Sequence, residues 1–191
     1  MEDLENEELE QPKTPLQHAV KFGLILGMVG AVINLLLYVI DPTLLVNMWM
    51  LLLLLLFVGL VTYGGITYRK EIGGYIDFGP AYIHGLTVFV MMGIIGLAVN
   101  FLMYNVVDPS LADTLTEASV EQARSMAESF GASGDALDEA MENARTDTAD
   151  RFTNFGLLKG FLFSLIFYAV LSLITALIVR RQERYLTLDN V

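Results

Sequence analysis

The sequence predicts an all-α integral membrane bundle of four transmembrane helices, arranged as a parallel repeat of two hairpins, with an extracytoplasmic helical hairpin between helices three and four. Three observations carry this prediction. Four stretches, residues 22–40, 46–68, 83–105 and 155–179, are almost wholly apolar. Each holds about twenty residues, enough to cross a hydrocarbon core of about 30 Å at about 1.5 Å per residue. The first and third stretches are near copies of one another. HAVKFGLILGMVGAVINLLLYVIDP (18–42) and HGLTVFVMMGIIGLAVNFLMYNVVDP (84–109) place His18, Gly27, Gly30, Asn34 and Tyr38 66 residues before His84, Gly93, Gly96, Asn100 and Tyr104. Each copy then runs into Asp-Pro, at Asp41 and at Asp108, the second after one extra residue. Finally, the acids lie off the spans: six fall in residues 1–10, and residues 108–151 hold eleven against three bases.

Residues 1–17 are acidic, lack aromatics and contain two prolines. They bury too little apolar surface to offset the entropy of ordering, so a disordered tail is expected. The acidic leader and long apolar run do not fit a cleaved signal peptide. Helix one, over 22–40, stops at Asp41-Pro42, where proline disfavours helical geometry at the aspartate. Helix two, over 46–68, ends on Arg69-Lys70, with Trp49 and Tyr68 near its two boundaries, where amphipathic rings favour headgroups. The insert 108–156 carries a helical stripe at Leu115, Val120, Ala123, Met126, Ala127 and Phe130. Gly131-Ala-Ser-Gly134 breaks it, and Leu137, Met141 and Ala144 resume it. Thr116 and Asp135 are the expected helix caps. Helix four, over 155–179, contains Gly156, Gly160 and Ser164 at contact spacing and stops at Arg180-Arg181, leaving a polar tail over 183–191.

The connector GGITYRKEIGGYIDFGPAYIHG is the most specific stretch. Gly65, Tyr68, Arg69, Gly73, Gly74, Ile76, Phe78, Ala81 and Gly85 resemble the signature turn of a bacterial membrane family catalogued as domain of unknown function 4199 (DUF4199). The four-span layout over 18–182 is similar too. The resemblance implies the fold class and a bacterial membrane; it carries no known activity, cofactor or site residue.

Basic residues near span ends set orientation. Lys13 and Lys21 precede helix one, Arg69-Lys70 follow helix two, and Arg180, Arg181 and Arg184 follow helix four. Both termini are therefore expected in the cytoplasm of a bacterial inner-membrane protein, with 108–156 on the far side. A net charge of −11 argues against nucleic acid. With no cysteine and two histidines, thiol chemistry is excluded and no metal or other cofactor is expected.

At 100° per residue, Gly23, Gly27, Gly30, Asn34, Tyr38 and Asp41 share one stripe of helix one, and Gly93, Gly96, Asn100, Tyr104 and Asp108 share one stripe of helix three. Close packing of the two helices is the first expectation, since small residues let backbones approach and an amide bonds across the contact. A polar pathway lined by Asn34 and Asn100 is the second. His18 and His84 fall on the opposite face of the wheel and read as interfacial anchors. The carboxylates Asp135, Asp138, Glu139 and Glu142 read as a solvated surface, lacking the order of a calcium loop. No nucleophile and base pair at a common depth, so no catalytic residue and no enzyme are expected. Beyond the lipid bilayer, the expected partner is a membrane protein or a second copy meeting the acidic hairpin. The expected role is that of a noncatalytic accessory protein; the alternative is a small oligomeric transporter or channel using Asn34 and Asn100.

Overall fold

A computed structural model describes residues 14–182, and residues 1–13 of the expected 1–17 tail and the expected tail 183–191 lie outside the described residues. Six helices follow in order: α1 (Pro15–Ile40), α2 (Met50–Glu71), α3 (Phe78–Leu102), α4 (Leu111–Ser129), α5 (Asp135–Arg151) and α6 (Asn154–Val179). Four of them, with α3 counted through Val107, are long and apolar enough to span a membrane. A helix satisfies its own backbone polar groups, which is what hydrocarbon demands.

Helix α1 starts earlier than expected: residues 15–17, expected in the disordered tail, form part of its first turn. Thr14 caps it: the Gln17 N–H donates to Thr14 Oγ1 at 3.3 Å and the Thr14 N–H donates to Gln17 Oε1 at 3.2 Å. With proline at the first helical position this is a capping box, and a residue that reads as a breaker here starts the helix. Helix α2 starts later than expected, because Pro42–Val46 form a 3-10 turn after Asp41.

Helix α3 runs on into a π turn, Met103–Val107. This turn houses the extra residue of the second copy. The Asp41 N–H bonds the Leu37 carbonyl four residues back, whereas the Asp108 N–H bonds that of Met103, five back. A single added residue inside a helix is accommodated in this way. Both aspartates then close the same local turn. Asp41 Oδ1 accepts from Thr43 N–H and Oγ1 at 2.9 and 2.8 Å, and Asp108 Oδ1 accepts from Ser110 N–H and Oγ at 3.0 and 2.6 Å.

Helices α1 and α3 form the most extensive contact and run in the same direction. Added Cβ atoms show how close they come: at Gly23 one would lie 2.8 Å from Met91 Cβ and 3.0 Å from the Val88 carbonyl oxygen, and at Gly27 one would lie 2.5 Å from Ile95 Cδ1. Helix α6 lies antiparallel on α3, with Thr175 and Ser172 against Gly85 and Tyr168 and Phe161 against Gly93. Val179 of α6 packs on Gly65 of α2, and Gly64 meets the ring of Phe22. The starts of α1 and α3 and the ends of α2 and α6 thus gather at one end of the bundle, which we call the basic end. There Ile76 and Arg181 pair through their backbones, N to O at 3.0 and 2.9 Å.

At the other end α4 stands on the bundle. Leu111 and Leu115 bury beside Met103, with Tyr38, Leu45, Val46 and Phe152 packed around them. Gln122, its amide oriented to suit both neighbours, donates to the Val46 carbonyl at 2.9 Å and accepts from the Met48 N–H at 3.3 Å. Helix α5 returns antiparallel to α4, joined by Arg124–Asp138 at 2.8 Å and Arg145–Glu117 at 3.0 Å. Thr116 is not a cap: its hydroxyl donates to the Ala112 carbonyl inside α4. Nor is Asp135, which follows the cap Gly134, a glycine at φ +78°. Along α4 the stripe buries only at its foot, and Phe130 at the tip is 85% exposed, whereas Leu137 at the start of α5 is buried.

Candidate functional site

The two copies of the stripe part company along their length. Toward the basic end they pack tightly, but on different neighbours: Gly27 meets Ile95 of α3, whereas Gly93 turns away from α1 onto Tyr168 and Phe161 of α6. Further along, the helices leave a cleft. Gly30 has only the edge of the Phe57 ring, 3.6 Å from an added Cβ, and Gly96 has nothing within 4 Å. The resulting cavity of about 190 Å³ is lined by Gly27, Gly30 and Asn34 of α1, Phe57 of α2 and Gly96 and Asn100 of α3. The two asparagines are therefore brought together as walls of one cleft. Its floor is apolar, because Leu26, Val61, Val88 and Phe89 fill the bundle between the cleft and the basic end.

Asn34 Oδ1 is buried without a hydrogen-bond partner. In hydrocarbon an unpaired polar atom costs several kcal/mol, roughly 1–3 by protein mutational measures. The cleft is thus short of one donor.

Above it, the outer stripe residues act as joints. The Tyr38 hydroxyl donates to Asp108 Oδ2 at 3.2 Å, linking α1 to the π turn, and Tyr104 stands edge-on to Phe152 with centroids 5.6 Å apart. The Ser110 hydroxyl, with Tyr38 and the local backbone N–H groups, holds the Asp108 carboxyl below the usual carboxylate range against the opposing effect of burial. Asp41 closes its own turn. The row Gly156, Gly160 and Ser164 shares no partner helix: Gly156 abuts the backbone of Asp150 and Arg151, Gly160 has nothing within 4 Å, and the Ser164 hydroxyl returns to the Phe161 carbonyl.

A second constellation was not legible on the helical wheel. His18 Nδ1 and His84 Nε2 lie 2.9 Å apart, and the Tyr68 ring stacks on His84 and lies tilted against His18, with centroids 5.4 and 5.0 Å away. His84 is 1% exposed and Tyr68 is 2% exposed. The expectation of two separate interfacial anchors is corrected accordingly. One ring nitrogen donates and the other accepts, so the pair holds a single proton between its facing nitrogens. The signal was present in the repeat, because equivalent positions on adjacent parallel helices share one depth. The wheel misled because α3 meets α1 along His84, Val88, Met91 and Ile95, a different face from the glycine stripe.

Between α4 and α5 lies an open groove of about 570 Å³ lined by Asp113, Glu117, Glu142 and Arg145, among others. Among the described residues, no three His, Cys, Asp or Glu side chains converge in a metal-holding group.

No curated protein and no solved structure matches the chain. Residues 21–181, including the whole connector from Gly65 to Gly85 and all four spans, match the family model described as protein of unknown function (DUF4199). The chain therefore belongs to the DUF4199 family.

Proposed function

We propose that this chain is a noncatalytic accessory protein of the bacterial inner membrane that works by association, and that the cleft at Asn34 and Asn100 receives a polar group from its partner. The observation that carries this is the unpartnered, buried Oδ1 of Asn34 on the wall of an otherwise apolar cleft. An incoming hydroxyl or amide N–H would supply the missing donor, and an interhelical bond of this kind contributes about 0.6 kcal/mol, at most about 2. Glycines at 30 and 96 leave the backbones open to approach.

In this reading α1–α2 and α3–α6 are two copies of one hairpin, related by an axis along the membrane normal. The parallel course of α1 and α3 supports it. The basic end lies in the cytoplasm and α4–α5 on the far side, supported by Lys21, Arg69, Lys70, Arg180 and Arg181 at one end of the bundle. The alternative, a small oligomeric transporter or channel, would use the same cleft. It would need a passage through the Leu26, Val61, Val88 and Phe89 cluster, which fills the bundle below.

The test is a photo-crosslinking residue at position 100 in native membranes, with and without Asn34→Leu. A discrete adduct that weakens in the Asn34→Leu background supports association. No adduct, with cysteines at 34 and 100 both reacting readily with a water-soluble reagent, would replace this reading with a wet pathway.

A further inference from the structure

The basic end carries an arrangement that neither the cleft nor the bundle's packing uses. Backbone pairing of Ile76 with Arg181, at 3.0 and 2.9 Å, ties the α2–α3 connector to the residues following α6. Gly73 at φ +101° and Gly74 at φ +90° let the connector fold back to make that pairing, a backbone geometry that favours glycine. Arg69 reaches across from α2 and donates through Nη1 to the Val179 carbonyl at 2.7 Å. The Arg181 guanidinium lies 5.7 Å over the Tyr75 ring. These three ties gather Arg69 and Lys70 of α2 with Arg180 and Arg181 onto one rim.

Their use of charge is uneven. Arg69 spends its charge on the carbonyl end of α6, which such a residue ordinarily stabilises. Lys70, Arg180 and Arg181 are exposed, and among the described residues none of them forms an ion pair. At the other end of the bundle, Arg124 and Arg145 each have a carboxylate within 3.0 Å. The connector adds only Glu71 and Asp77 as counter-charges. Tyr75, Phe78 and Tyr82 beside the rim mark the level at which aromatic rings meet headgroups.

We infer that Lys70, Arg180 and Arg181, gathered by the Ile76–Arg181 backbone pair, form a binding site for the phosphate headgroup of an anionic lipid. The occupant is lipid rather than soluble phosphate because the rim lies where spans end, at the depth of the lipid phosphates. Clustered cations at that depth attract anionic lipid. This goes beyond the proposed function and does not depend on the cleft.

Native mass spectrometry of the full chain, released from micelles doped equally with phosphatidylglycerol and phosphatidylcholine, tests the site. Preferential retention of phosphatidylglycerol is expected, falling by about a hundredfold when Lys70→Gln, Arg180→Gln and Arg181→Gln are combined. Arg124→Gln with Arg145→Gln at the far end should leave the preference unchanged. Should the triple variant not fold, Lys70→Gln alone decides, because that side chain makes no tie to the bundle; it should lower the preference severalfold. Equal retention of the two lipids, or an undiminished preference in the folded variant, overturns the proposal. So does loss of phosphatidylglycerol to millimolar inorganic phosphate at constant ionic strength, which would make this a soluble-anion site.

Discussion

Replacing Gly23 with alanine should weaken the bundle more than the same change at Gly30 or Gly96, the two glycines open to the cleft. An alanine Cβ at 23 would lie 2.8 Å from Met91 Cβ, 3.0 Å from the Val88 carbonyl oxygen and 3.1 Å from Val88 Cα. None of these atoms is the mobile end of a side chain, so α1 and α3 must move apart by roughly 0.6–1 Å to restore ordinary contact. A gap of that size forfeits a quarter to a half of each neighbouring contact along the seam. Overpacking of this kind costs about 1–3 kcal/mol, against a gain of up to about 1 kcal/mol from the better helix propensity of alanine. Gly96→Ala keeps only the gain, since an added Cβ there meets nothing within 4 Å. The two variants should therefore differ by about 1–3 kcal/mol in the free energy of unfolding in detergent, with Gly96→Ala the more stable. Equal stability, or the reverse order, would refute the assignment of the tight seam to Gly23.

Three further outcomes are expected. Because hydrogen bonds hold the Asp108 carboxyl below its ordinary range, its contribution to stability is fully present above the unfolded carboxylate range and disappears as pH falls through the lowered value; the unfolding midpoint of Asp108→Asn should show a correspondingly smaller acid dependence. His84→Leu removes the buried member of the pair and its hydrogen bond with His18. It should cost about 1–3 kcal/mol in the same assay, with His84→Gln closer to the parent because it restores a hydrogen-bonding group. Single cysteines at Ser133 and Lys70, both exposed, should separate under an impermeant thiol reagent, the first labelled in intact cells and the second only after lysis; labelling of both from outside would overturn the orientation.

The four spans were legible because length and apolarity suffice to identify a membrane helix. Their ends were not. Pro15 reads as a breaker until Thr14 and Gln17 are seen capping the same turn, and Val46 reads as helical until Pro42 has committed the preceding residues to a tighter one. The stripe was legible as a set of residues sharing a face but not as a set of contacts. A helical wheel is drawn for one helix and carries no information about the partner's face. Gly27 and Gly93 occupy equivalent positions in the repeat, yet one meets α3 and the other α6, because α3 lies between two neighbours. The histidine pair was hidden by the same limitation, although their common interval and parallel helices are enough in retrospect to place them at one level.

The one-residue difference between the two similar stretches gives α1 and α3 two distinct ends. An extra residue turns everything after it by about 100° on a helix, and here the π turn Met103–Val107 absorbs it. The local turn chemistry survives the insertion, since Asp108 Oδ1 holds Ser110 just as Asp41 Oδ1 holds Thr43. The second carboxylate oxygen does not repeat, for Asp108 Oδ2 accepts from Tyr38 of the other copy. That cross-link fixes the exit of α3 against α1, and Met103 of the same turn packs with Leu111 and Leu115 of α4. The first copy leads into a short 3-10 turn and straight back through α2; the second leads into the one helical pair that stands clear of the spans. The inserted residue therefore separates a copy that only spans from one that also carries α4 and α5, and deleting Val106 should loosen α4 while leaving the Gly23 seam intact.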